Sequence, residues 1–133
     1  MNKVKLEKVE HKPNFNLSVK AHNFAKVLKA SPGNFREISE CVKLGFAVGL
    51  NLELFDDVEC TSNVADTSSL DRDVMMLFLY SEKFPDKISE SKQPWLDIEK
   101  ITSNGIEHIS EKYYDDQHNL IKWSELYEAL IDS

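Results

Sequence analysis

The chain is 133 residues long, 41% hydrophobic, 10% aromatic and 29% charged, with a formal net charge of −7. That is the size of one ordinary domain, too apolar to stay disordered and charged enough for a well-solvated surface. No stretch approaches the roughly 18 consecutive apolar residues of a membrane span, and the opening MNKVKLEKVEHK lacks an apolar run of signal-peptide length, so a cytoplasmic single domain over 1–133 is expected.

The charge is unevenly placed. Residues 1–43 carry nine Lys and Arg against four Asp and Glu, a balance of +5, whereas residues 44–133 carry seven against nineteen, a balance of −12. Such asymmetry suits two faces with different partners, a polyanion for one and a basic protein surface for the other, or a solvated surface on which charges merely fall unevenly.

In KVKLEKV (3–9), Val4 and Leu6 alternate with lysines, which predicts a short strand or extended arm inside a basic N-terminal arm of residues 1–16. Pro13 and Asn14 end it. Leu17, Ala21, Phe24, Ala25 and Leu28 then keep helical spacing, predicting a helix over 18–30 that stops at Ser31-Pro32-Gly33. Asn34 is placed to cap a second helix to Leu50, with Glu37 completing a capping box. Its apolar face is Phe35, Ile38, Val42, Phe46 and Leu50, and Gly45 and Gly49 stand one turn apart beside it, where another helix can approach closely.

Residues 56–69 read DDVECTSNVADTSS, an acidic and then polar loop whose carboxylates Asp56, Asp57, Glu59 and Asp66 are candidate partner-binding residues. They lack the alternating ligands and central glycine of a calcium loop. A third helix of about 14 residues, capped at Ser68 or Ser69, contains VMMLFLY (74–80), and its unbroken apolar run predicts a central helix buried on nearly every side, ended by Phe84-Pro85. A fourth starts at Pro94 and turns Trp95, Ile98, Thr102, Ile106, Ile109 and Tyr113 inward. Gly105 lies on that same face. A glycine inside a helix costs about 1 kcal/mol against alanine, so it marks either backbone-to-backbone contact with Gly45 or Gly49, or a break at Asn104-Gly105 into two shorter helices. A last helix over 120–131 turns Leu120, Trp123, Tyr127, Leu130 and Ile131 inward. The expected fold class is all-α, a compact bundle of about five helices with a short N-terminal strand or arm.

Chemistry is harder to find. Cys41 and Cys60 lack paired spacing and are expected as free thiols, Cys41 in the core. Glu107-His108 with Glu111 reverses the order that a zinc-binding HExxH helix needs, and no glycine loop suited to phosphate occurs. His11, His22, His108 and His118 are scattered, and the pairs Asp71 with Asp73 and Asp115 with Asp116 suit surface solvation and helix-end charge better than acid–base work. No catalytic residue, metal or cofactor is expected. DNA is a candidate partner through Lys3, Lys5, Lys8, Lys12 and Lys20, with Lys26 and Lys29 behind them, and the order strand, helix, helix over 3–50 resembles a ribbon-helix-helix module. Alternating lysines equally protect an edge strand from aggregation.

Two stretches carry a family resemblance. NFREISECVKLGFAVGLN (34–51) and WLDIEKITSNGIEHISEKY (95–113) are similar to the small Dnd-associated proteins encoded beside bacterial DNA phosphorothioation and restriction genes. The family's second stretch reads Tyr-Ala-Asn-Gly-Gly. Asn104 and Gly105 match it, Thr102 stands for the tyrosine and Ile106 for the second glycine. The first fifty residues also resemble the E subunit of these systems, a compact helical DNA-binding protein that oligomerises. The resemblance implies a non-catalytic accessory subunit of an anti-phage system, working with other protein subunits and with DNA. The competing class is an acidic inhibitor, an immunity protein or a phage-encoded anti-defence protein, whose carboxylates occupy a nuclease's basic cleft.

Overall fold

The computed structural model describes residues 6–29, 34–72 and 74–132. Val4, Lys3, Lys5, Asp73 and the expected Ser31-Pro32-Gly33 helix stop lie outside them. Six helices are present among the described residues: α1 (Val19–Lys29), α2 (Ile38–Asn51), α3 (Thr67–Leu70), α4 (Met75–Lys83), α5 (Gln93–Lys112) and α6 (Trp123–Asp132). They are joined by two small antiparallel sheets, β1 (Asn14–Leu17) with β2 (Ser62–Asp66) and β3 (Tyr114–Asp115) with β4 (Leu120–Ile121). The fold is therefore mostly helical but not purely all-α.

The strands fall where the sequence predicts none. Leu6–Lys8 is a 3-10 turn rather than an extended arm, and the chain becomes a strand only after Pro13. There Asn14 faces Asp66, Phe15 faces Ala65 and Leu17 faces Ser62, with a bulge between Phe15 and Asn16. Phe15 and Leu17 are buried while Asn14 is exposed, so this strand is held by one apolar face. Its partner lies in the segment expected as a loop: 62–66 is strand and 67–70 a helical turn, so 56–69 is not one open loop. Since β1 pairs inside its own chain, the resemblance to a ribbon-helix-helix module, whose strand pairs with another copy, does not hold for the described residues.

The helix at the centre is α5, not the VMMLFLY segment. Ile98, Glu99, Ile101, Thr102, Ser103, Gly105, Ile106 and Ile109 are all buried, so α5 is covered around most of its circumference, by α2, α1, α4 and β1. It runs unbroken through Asn104-Gly105. By contrast α4 sits at the edge: Met76, Leu77 and Tyr80 face inward, while Val74, Met75, Phe78 and Leu79 are 41–54% exposed. The third helix expected from Ser68 is in fact two, α3 and α4, separated at Val74, whose φ of 48° places a β-branched residue in the left-handed region. Asp71 makes the restart: its carboxylate accepts the Met76 and Leu77 N–H groups at 3.0 and 3.3 Å.

Two further ends differ. Helix α2 starts at Ile38, and its box is closed by Glu37 and Glu40, with the Glu37 N–H donating to the Glu40 carboxylate at 3.2 Å. Asn34 instead ties α1 to β4, donating to the Leu28 and Asn119 carbonyls and accepting the Ile121 N–H at 2.9 Å. Helix α6 starts at Trp123 and buries only Leu126, with Leu130 partly covered; Leu120, Trp123, Tyr127 and Ile131, expected inside, are 37–67% exposed. The hairpin of β3 and β4 uses residue 120 as strand, and Asn119, at a φ of 47°, makes its turn.

Candidate functional site

Helices α2 and α5 cross at three glycines. A methyl placed on Gly105 would overlap the Gly45 carbonyl oxygen and stand 2.9 Å from the Gly49 nitrogen. One on Gly45 would press on Ile106 and lie 3.0 Å from the Thr102 carbonyl, and one on Gly49 would overlap the Ile101 carbonyl. Backbone therefore meets backbone from both sides, and this contact sets the height at which the polar residues of α5 meet the N-terminal segment.

Those residues receive two of the expected DNA-binding lysines, Lys12 and Lys20. Lys12 donates to the Glu99 carboxylate at 2.6 Å and also to the Asn14 carbonyl, with its side chain 13% exposed and that of Glu99 1% exposed. The Asn16 N–H donates to the same Glu99 oxygen at 2.7 Å. Burial pushes the Glu99 carboxyl up from its ordinary range, and Lys12 and the Asn16 N–H pull against that shift. One turn further, Ser18 donates from its N–H to Ser103 and from its hydroxyl to Glu107. Lys20 then pairs with Glu111 at 2.8 Å and approaches Glu107 at 3.9 Å, and the Glu111 hydrogen bond holds its ammonium above the ordinary value. Of the nine cations in residues 1–43, Lys12 and Lys20 are thus paired with carboxylates of α5. Lys8, Lys26 and Lys29 are exposed.

The acidic candidates Asp56, Asp57, Glu59 and Asp66 are all exposed. Asp57 pairs with Lys100 at 2.8 Å, which holds its carboxyl below the ordinary range, and Asp66 accepts the Ser68 hydroxyl at 2.8 Å. Asn104 donates to the Leu54 and Asp56 carbonyls at 3.1 and 2.7 Å, pinning the start of the segment to α5. Glu59 is exposed beside a shallow groove of about 430 Å³ that also reaches Cys60, Gln93, Glu99 and Lys100. Burial raises the Cys60 thiol, whose sulfur lies 3.4 Å from the Ser103 hydroxyl, so it is not a ready thiolate. Cys41 is buried and its thiol is pushed up to about 12. Among the described residues no group of three or more His, Cys, Asp or Glu is placed to hold a metal ion.

A different surface stands out, and sequence reasoning missed it. Between α2 and α4 a groove of about 570 Å³ has Phe46, Leu70, Met75, Met76 and Leu79 on its walls and the cations Lys43 and Arg72 at its edges. On the other side of α2, Leu44 and the α6 residues Leu126, Tyr127 and Leu130 line a second, nearly apolar groove of about 370 Å³. On α2, Leu44 belongs to the second groove and Ala47, one turn on, to the first. The apolar run 74–80 carried the signal, because a nine-residue helix that is apolar on all sides and lies at the edge of a fold must expose part of itself. Compared with protein-family models, with curated proteins and with solved structures, the chain gives no match.

Proposed function

We propose that this chain is a non-catalytic protein-binding subunit, and that its setting is a bacterial anti-phage assembly of the DNA modification and restriction type. The observation that carries the binding reading is the apolar surface on both sides of α2. Met75, Phe78 and Leu79 on α4, and Tyr127 and Ile131 on α6, are 41–67% exposed in a chain with ample charge to cover itself. Exposed apolar side chains gathered beside grooves mark a site that another macromolecule covers. The setting rests on the resemblance of 34–51 and 95–113 to the Dnd-associated proteins. Protein is favoured over DNA as the main partner because Lys12 and Lys20 already hold carboxylates of α5.

The test is an affinity pull-down from a bacterial host after nucleic-acid digestion, run with the wild-type chain and with Met75→Glu/Tyr127→Glu. Large ATPase or nuclease subunits retained by the wild type and lost from the variant are the expected result. Retention of a single small basic nuclease or toxin would instead make the chain an inhibitor, and equal recovery by both forms would overturn the role of this surface.

A further inference from the structure

The two sides of the α2 surface differ in charge as well as in shape. The α4 side is a recess with Lys43 and Arg72 at its edges. Asp71, the carboxylate on its lining, is 5% exposed and turned onto the Met76 and Leu77 N–H groups, so it does little to neutralise them outward, and the exposed Glu40 stands one turn before Lys43 on α2. The α6 side has its own apolar groove, and at its rim Tyr127 and Ile131, 67% and 63% exposed, form a ridge along one edge of the helix, with Glu128 and Asp132 on the next line around it. A basic apolar recess and an acidic apolar ridge are complementary, and they flank one helix. A two-fold axis through α2, between the two grooves, exchanges its two sides, so that each copy's ridge meets the other's recess.

We infer that the partner this surface takes first is a second copy of the chain, in a closed two-fold dimer in which α6 of each protomer lies in the α2–α4 groove of the other. This rests on the reading of the same surface as a protein-binding site and names its partner. Tyr127 and Ile131 enter between Met75 and Leu79, whose flexible and branched side chains suit an incoming aromatic ring. Glu128 and Asp132 then face Lys43 and Arg72, which fixes the direction of the helix in the groove. Reciprocal contacts close the assembly at two copies and leave neither recess nor ridge for a third.

Sedimentation equilibrium across a range of protein and salt concentrations tests this. The wild type is expected to dimerise, more weakly as salt rises. Two charge-reversed variants, Lys43→Glu/Arg72→Glu and Glu128→Lys/Asp132→Lys, should each be at least about tenfold weaker as homodimers. Mixed in equal amounts they should form a heterodimer, because both of its contacts are then attractive. A wild type monomeric at every concentration, an open series of larger species, or a mixture no tighter than its components would each overturn the dimer. Circular dichroism of each variant confirms that it is folded. A monomeric wild type that still retains partners in a Met75- and Tyr127-dependent manner would sink the dimer alone and leave the protein-binding reading standing.

Discussion

Lys12 and Glu99 show how a single contact converts a feature of composition into a feature of structure. They are 87 residues apart in sequence and 2.6 Å apart in space. Nothing near Lys12 marks it off from Lys8 or Lys20, because its partner belongs to a helix whose position depends on the whole fold. Removing the ammonium leaves a carboxylate that is 1% exposed with one backbone donor. Lys12→Met should therefore destabilise the protein by about 2 to 3 kcal/mol in urea unfolding at neutral pH, slightly less than for a fully buried pair because Lys12 keeps some access to water. The loss should shrink in acid, since a protonated Glu99 no longer needs the cation, and Glu99→Gln in the Lys12→Met background should recover part of it. Lys20→Met, at an exposed pair, should leave the unfolding midpoint nearly unchanged. Equal losses at the two lysines would contradict the burial argument.

At the level of elements, the crossing of α2 and α5 tolerates no side chain at its centre. Gly105→Ala should cost about 3 kcal/mol or more, and Gly49→Ala a similar amount, because in both the new methyl meets backbone carbonyl oxygen that cannot swing aside. Gly45→Ala should cost less, since its nearest obstacle is the Ile106 side chain. Chemical denaturation of the three variants checks the order, and a neutral Gly105→Ala would show that the helices can part at no cost. This crossing was legible because helical spacing put Gly105 on the same face as Ile98 and Ile109, and α1, α2 and α5 were legible for the same reason. What the sequence did not show depends on distant partners. The SNVAD of β2 has little strand character and is paired because β1, 52 positions earlier at Asn14 and Asp66, offers an edge. The apolar run of α4 announced burial, but a run alone does not distinguish a central helix from an edge helix with one face in water. The exposed edge of α6 was misread for a related reason: its apolar residues span more of the circumference than the fold has surface to cover.

Across the whole molecule, the response to pH follows from titratable groups that are buried or paired in the fold. His22 is 8% exposed between α1 and β2, its Nδ1 at 2.5 Å from the Ser62 hydroxyl, and burial lowers its basicity with help from the nearby Lys26 cation. His108 is lowered in the same way, by burial first and Lys112 second. A base whose folded-state value is depressed binds fewer protons folded than unfolded. Its contribution is thus complete above the ordinary value of about 6.5 and is lost as pH falls through that value toward the depressed one. Glu99 acts in the opposite sense: with its carboxyl raised, the folded state holds a proton longer than the unfolded one, and stability is lost as pH rises from the ordinary carboxylate range through the raised value. On acidification through the ordinary histidine value the two histidines therefore destabilise the fold, and Glu99 opposes them only once pH reaches its own raised value. The carboxylates lowered by Lys100, Lys20 and His118, namely Asp57, Glu111 and Asp115, begin to lose their contribution only further into acid. The double variant His22→Gln/His108→Gln should lose less than half as much stability as the wild type between about pH 7 and pH 5. Urea midpoints at a series of pH values read this directly. An acid loss unchanged in the double variant would assign it to the carboxylate pairs and would mean that burial of His22 beneath β2 does not hold in solution.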